Sequence, residues 1–265
     1  MCRYCIITWD SDRTYNEKTA KHKESYYIMR KILITNDDGI DAGGIIRLAE
    51  AAKEFGEVWV IAPLHQRSAA SHSITLREPL DVYPHDFPVK GVKAFSCSGT
   101  PADCVRVGSA VMSYKPDVVL SGINYGYNAA TDLQYSATVG AALEAVFQGY
   151  GGIAFSEDMR DCHEVTDAYL RDMIDEYIDV RPGWGKIVNI NFPGCRLGEC
   201  RGVLRDRITS RSAFFHDRYN IIERLDDGGL RYMVEGKHNF DGEEDTDFHA
   251  LVNNYVSVGI VSNVM

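Results

Sequence analysis

The 265-residue sequence has no apolar run approaching the roughly 18 residues that a membrane-spanning helix needs, so no membrane span is expected. It has no dense Lys/Arg tract either, and its net charge is -10. That balance disfavours a grip on long nucleic acid, which is held mainly through its phosphates. Residues 1–28 contain no apolar stretch followed by a small-residue cleavage site, so a secretory signal is not expected there. There is no internal repeat or low-complexity tract. A fixed spacing between cysteine pairs is also lacking: the seven cysteines are scattered and odd in number, with C-x-x-C spacing only at Cys2/Cys5. Cys2/Cys5 and Cys195/Cys200 make a zinc site conceivable, but unpaired cytosolic thiols are the plainer reading, and the expected location is cytoplasmic.

What is present begins in earnest near residue 30. Residues 1–28 lack sustained periodicity and precede Met29, which is itself a possible start. They read as a flexible or loosely docked N-terminal extension, with a short strand at residues 5–9 as the structural alternative. From Lys31 onward, short β-branched runs alternate with helical patterns. Residues 31–35 (KILIT), 57–62 (EVWVIA), 92–97, 117–121 (DVVLS), 152–156 and 186–190 read as strands. Residues 43–55, 102–112, 137–147 and a polar stretch near 163–177 read as helices. Strand, helix, strand, repeated, argues for an α/β fold: a doubly wound, mostly parallel, Rossmann-like sheet covered on both faces. After Pro193 the alternation breaks down. The expected organisation is therefore an α/β core over residues 29–194 and a C-terminal appendage over 195–265, serving oligomerisation and closure. A hairpin is expected in that appendage, turning at Asp226-Asp227-Gly228-Gly229.

In an open sheet of this kind ligands bind beyond the carboxyl ends of the strands, which directs attention to three loops. KILIT runs into Asn36-Asp37-Asp38-Gly39. Two adjacent carboxylates in a cleft repel unless a cation joins them, and oxygen-rich sites of this sort suit Mg²⁺ or Mn²⁺. The ordinary alternative is a helix-capping Asp beside a turn Asp. EVWVIA leads into a polar loop, residues 63–73, with Ser68 as a neutral oxygen, Arg67 as a phosphate partner, and His65 and His72 as weak candidates for proton transfer. DVVLS leads into Gly122-Ile123-Asn124-Tyr125-Gly126-Tyr127-Asn128, where Asn124 and Asn128 offer amide groups. Tyr125 and Tyr127 either stack on a base or pack beneath the loop. Ser136 and Thr138 open a helix, which is either a simple cap or a phosphate cradle. Residues 98–104 repeat the hydroxyl-then-helix arrangement.

Taken together, ILITNDDGI (32–40), APLHQRSAASHSIT (62–75), SGTPADCV (98–105), SGINYGYN (121–128), YSATVGAALEA (135–145), NINFP (189–193) and DTDFHALVNNYVSV (245–258) resemble the SurE (survival protein E) nucleotidases. The resemblance implies a divalent-metal-dependent phosphomonoesterase that hydrolyses nucleoside 5′- and 3′-monophosphates. It implies one Mg²⁺ or Mn²⁺ per subunit on Asp37, Asp38, Ser68 and Asn124, and phosphate contacts from Asn128, Ser136 and Thr138. Asp37, Asp38 and Asn128 become the catalytic candidates, Asp37 orienting or deprotonating a water, with attack by an Asp as the chemical alternative. A homodimer or tetramer is expected, with exchange contacts after residue 195. Two features depart from the family pattern: Ala137 stands where Gly is usual between the Ser and Thr, and the N-terminal extension precedes the first strand. A nucleotide-dependent transferase and a non-catalytic nucleotide sensor are the rival classes.

Overall fold

The structure, a computed structural model, describes residues 29–262. The expectations for residues 1–28, including Cys2, Cys5 and the strand at 5–9, fall outside it. Nine strands form the main sheet. In chain order β1 is Arg30–Thr35, β2 Gly56–Pro63, β3 Val82–His85, β4 Lys93–Cys97, β5 Val118–Tyr125, β6 Gly151–Glu157, β7 Lys186–Phe192, β8 Val203–Arg207 and β11 Val256–Ser262. Between β8 and β11 the chain makes a separate two-stranded ribbon, β9 (Phe215–Arg224) and β10 (Leu230–His238). The helices are α1 (Gly43–Ala52), α2 (Pro101–Met112), α3 (Ala137–Phe147), α4 (Glu164–Tyr177) and α5 (Asp247–Val252).

The spatial order is β3-β4-β2-β1-β5-β6-β7-β11-β8, and the six strands from β4 to β7 run parallel. The chain passes from β1 outward to β2 and β4, then returns to lay β5 against the other side of β1. The carboxyl ends of β1 and β5 are thus the switch point, where the connections diverge and leave a crevice.

Burial on both faces explains why the central strands read as continuous apolar runs. Along β1, Ile32 and Ile34 face the cluster under α1 and α4, while Leu33 faces Ile61, Val105 and Met112 under α2. All three β1 side chains are fully buried, each contributing roughly 1.5–3 kcal/mol of transfer free energy. In α1 the buried positions Ile45, Leu48, Ala49 and Ala52 trace one stripe at helical spacing. Gly44 in the same helix has no room for a side chain: a Cβ there would stand 2.1 Å from the Ile123 carbonyl oxygen. That contact sets α1 directly against β5 behind the switch point.

The tail differs from its sequence reading. Residues after 195 do not form an appendage apart from the core, because β11 pairs antiparallel with β7 and β8 pairs parallel with β11, extending the main sheet. The alternating Val256 and Val258 are buried against that sheet, a local signal diluted by serine and glycine. Only the β9–β10 ribbon projects, with its turn over residues 225–229 and nearly every side chain exposed. Among the described residues no helix is long and apolar enough to cross a membrane.

Candidate active site

The turn after β1 is closed by Asn36, whose Nδ2 donates to the Gly39 carbonyl at 2.9 Å. Gly39 has φ +103°, a conformation that strains any residue with a Cβ. The turn is tied to the loop after β2 by the Arg67 N–H on the Asp37 carbonyl (2.7 Å) and the Ile40 N–H on the Pro63 carbonyl (2.9 Å). Asp37 is almost wholly buried. The Thr138 hydroxyl donates to its Oδ1 at 2.7 Å, and the Thr138 N–H supports it too, so the carboxylate sits against the first turn of α3. Burial pushes Asp37 up to about 6, the Thr138 hydrogen bond opposes that rise, and the neighbouring Asp38 charge adds to it. Asp38 accepts the Tyr125 N–H at 3.0 Å and the Gln66 amide at 3.4 Å. It too is raised, first by burial and last by the charge of Glu157.

A cleft of about 490 Å³ opens at the switch point, lined by Asp37, Ser68, Asn124, Asn128 and Ser136 among others. The Gln66 amide donates to Ser68 Oγ at 2.9 Å as well as reaching Asp38, and so links the two. The Asn124 amide nitrogen donates to the Gly126 carbonyl at 2.7 Å, which fixes the orientation of its amide and leaves Oδ1 as the oxygen available to a ligand. Asn128 is clamped from β7: its N–H donates to Asn191 Oδ1 (2.8 Å), and its carbonyl accepts from Asn189 (2.8 Å) and Asn191 (3.1 Å). Its side-chain amide donates once, to Ser156 at 2.7 Å. The Ser136 hydroxyl accepts the Val139 N–H and caps α3. Ala137 is the first residue of α3 and is not among the residues with left-handed φ, so alanine is accommodated there without strain.

The expected residues do not all face one void. Asp38 lines an adjoining depression of about 340 Å³ with Arg47, Glu157 and His163, and Tyr125 borders both spaces. Thr138 is fully buried behind Asp37 rather than lining the cleft. His72 lies elsewhere, paired with Glu144 at 2.8 Å and stacked on Phe147. The Arg67 guanidinium is held by the Ser98 carbonyl at 2.7 Å. Residues 98–104 prove to be a brace: Thr100 and Asp103 form a capping box on α2, and Asp103 also accepts from the Thr75 N–H and hydroxyl. Tyr127 packs beneath its loop against Phe214, while Tyr125 is half exposed, its hydroxyl donating to the Met159 carbonyl. Cys195 and Cys200 are free thiols.

Several residues at the site carried no expectation from the sequence. Gln66 bridges two of the candidate ligands. Glu157 ends β6 beside Asp38, its Oε1 held by Arg47 (2.7 Å) and His163 (3.1 Å). Its position at a strand's carboxyl end was the available signal, the same one that singled out Asp37. Asp132 and Asp217 reach the cleft from a 3-10 turn and from the ribbon, where no local pattern announced them.

The donor set suits a hard divalent cation. Asp37 and Asp38 offer carboxylate oxygens, Ser68 a hydroxyl and Asn124 an amide oxygen, the ligand types of Mg²⁺ and Mn²⁺. Among the described residues neither aspartate has an ion pair, although burial penalises both charges, Asp38 repels Asp37 and Glu157 repels Asp38. Two uncompensated carboxylates side by side are what a bound cation would relieve. Among the described residues no cluster of three or more His, Cys, Asp or Glu side chains is arranged to hold a metal, so the neutral oxygens of Ser68 and Asn124 are needed to complete such a site.

Comparison with known proteins adds four findings. The family model for survival protein SurE matches residues 32–214. The 5′-nucleotidase SurE of Mesorhizobium japonicum is 36% identical over 239 residues, spanning 86% of this chain and 91% of that protein. The 5′-nucleotidase SurE of Cytophaga hutchinsonii is 38% identical over 235 residues, spanning 86% and 88%. The crystal structure of the SurE protein from Aquifex aeolicus superposes with a TM-score of 0.74 at 32% identity, covering 88% of this chain and 94% of that one.

Proposed function

Because the chain belongs to the survival protein SurE family, we propose that it is a divalent-metal-dependent 5′-nucleotidase, releasing phosphate from nucleoside 5′- and 3′-monophosphates. The observation that carries the reading is the adjacent pair of carboxylates, buried Asp37 and half-buried Asp38, which have no ion-pair partner among the described residues and stand at the switch point beside a cleft lined by Ser68, Asn124, Asn128 and Ser136. Asp37, Asp38, Ser68 and Asn124 would hold one Mg²⁺ or Mn²⁺ per subunit. When bound, that ion supplies positive charge for the phosphoryl oxygens and lowers the pKa of water.

The chain's own groups do the rest. Asp37, fixed by Thr138, orients or deprotonates the water that attacks phosphorus in line with the leaving oxygen. Asn128 has a second amide hydrogen beyond the one given to Ser156, and it is aimed by the Asn189/Asn191 clamp. With Ser136 and the start of α3 it meets the charge on the equatorial phosphoryl oxygens. Thr138 has its hydroxyl on Asp37, so its part is to position that carboxylate rather than to touch phosphate.

The projecting ribbon supports a homodimer or tetramer. It exposes Tyr219, Ile221, Ile222, Tyr232, Met233 and Val234, and an isolated two-stranded ribbon is only marginally stable in water. Five free described cysteines support a reducing compartment, the cytoplasm. The test is phosphate release from AMP and GMP after EDTA treatment, with Mg²⁺ or Mn²⁺ restored. Metal-restored release is expected. A folded protein that releases nothing with either ion would sink the enzyme reading and leave a nucleotide-binding module.

A further inference from the structure

A second and larger cavity, about 590 Å³, adjoins the carboxylate cleft, and its chemistry is the opposite. Its walls are mainly apolar and aromatic, built where the loop at Gly126 and Tyr127 meets the foot of the β9–β10 ribbon. Phe215 and His238 face each other across the ribbon with ring centroids 4.4 Å apart. His238 in turn stacks on Phe240, centroids 5.7 Å apart and planes 21° from parallel. The outermost ring, Phe240, is 72% exposed. A row of three aromatic rings ending in a bare face is costly in water, and it is the surface on which a flat heterocycle stacks.

The two cavities share walls. Phe215 and Asp132 line both, and the stretch from Tyr125 to Asn128 supplies residues to each. The Asp132 carboxylate, raised by burial and by the charge of Asp217, is a hydrogen-bond acceptor at the junction. On the far wall, Arg160 gives one guanidinium hydrogen to Asp158 at 2.7 Å and retains further donors. From one end to the other the combined space is an oxygen-rich pole, a carboxylate acceptor, then an aromatic pocket with a hydrogen-bonding wall. A nucleoside monophosphate has the matching order of phosphate, ribose hydroxyls and base.

We propose that this aromatic cavity is the base-binding half of the active site, taking the nucleobase on the Phe215–His238–Phe240 row while Asp132 accepts from the ribose. The assignment rests on the phosphohydrolase reading above and adds the source of its substrate choice. The cavity lies in the 300–1,000 Å³ range of small-molecule sites, large enough for a purine.

The experiment compares kcat/KM for AMP and for ribose 5-phosphate, which carries the same phosphate and sugar without the base, in the full chain with Mg²⁺ or Mn²⁺. Wild-type protein is expected to prefer AMP by on the order of tenfold or more, the scale of stacking on an aromatic side chain. Phe240→Ala and His238→Ala should each shrink that preference, and together bring it to within about threefold of unity, chiefly through the KM for AMP. Both positions are exposed, so melting temperatures close to wild type should accompany the kinetics. Adenosine should compete with ribose 5-phosphate in wild type and much less in the double variant. Equal kcat/KM for the two esters in wild type, or a preference untouched by the double variant, overturns the base pocket while leaving the phosphatase intact. Release from neither ester overturns the nucleotidase reading, and the base pocket with it.

Discussion

Thr138→Val removes one hydroxyl and little else. Valine keeps the shape and the β-branch of threonine at the second residue of α3, so the helix and its Ser136 cap remain. Asp37 loses the 2.7 Å hydrogen bond that is the strongest influence opposing its burial. A hydrogen bond to a charged group is worth about 1.5–3 kcal/mol, and loss of a partner that orients a metal ligand typically costs about 10–100-fold in affinity, two figures that agree. The metal concentration giving half-maximal phosphate release from AMP should therefore rise about 10–100-fold in the variant. The rate at saturating metal should fall less, because the carboxylate is still present. Thr138→Ser, which keeps the hydroxyl, should sit close to wild type. A Thr138→Val protein whose half-saturating metal concentration stays within twofold of wild type would refute the argument. Thr138 would then be a packing residue and Asp37 would owe its orientation to the backbone alone.

Other perturbations have equally definite outcomes. Asp38→Asn should cut metal-stimulated turnover by ~100-fold or more, while raising the metal-free melting temperature by relieving the repulsion between the two carboxylates, an activity–stability trade typical of such sites. A metal-free melting point that falls would show that Asp38 is structurally compensated in some other way. Gly44→Ala places a Cβ against the Ile123 carbonyl oxygen, and about 1–3 kcal/mol or more of destabilisation should appear in urea unfolding together with weaker metal response, since Asn124 is the next residue. Asp103 is raised by burial but more strongly lowered by its bonds from Thr100 and Thr75, so its net value lies below the ordinary carboxylate range. Its stabilisation is therefore fully present above about pH 4 and lost as pH falls through the lower folded value. Asp103→Asn should cost about 1–2 kcal/mol at pH 7, and melting curves of the two proteins should begin to converge as pH falls below about 4 and coincide only below the lowered folded value.

The parallel core was legible because burial on both faces writes β1, β2 and β5 as apolar runs, and because α3 announces itself with small residues at every turn. The last two strands were not legible for a physical reason. β8 is only partly buried, and β11 is interrupted by Ser257 and Gly259; each becomes a strand through its partner, β7 for β11 and β11 for β8. β3 carries a proline and survives only because it is an edge. At the site the same division holds. The rule that ligands gather at strand ends pointed to Asp37, Asp38, Asn124 and Asn128, and the structure sets these residues around the switch point. The orienting roles were not legible: Thr138 read as a phosphate contact and Gln66 had no assigned part, and the bonds from Thr138, Asn189 and Asn191 each act across a long stretch of chain.

Those orienting contacts explain how a chain of polar loops holds a defined geometry. Thr138 reaches Asp37 from α3, Gln66 joins Ser68 to Asp38, and Asn189 and Asn191 fix the backbone of Asn128 from β7. Asp247, at the start of α5, accepts N–H groups from Ala130 and Ser210 and so anchors the tail beside the loop that carries Asn128. Burial raises Asp247 above its usual value, and the three N–H groups aimed at it, Phe248 supplying the third, oppose that rise. The ribbon bearing Phe215 and His238 grows from between these two anchor points, Ser210 and Asp247. The tail that looked peripheral in the sequence thus carries one wall of both cavities, and the strands it adds to the main sheet tie that wall to the same sheet whose β1 leads into the two aspartates.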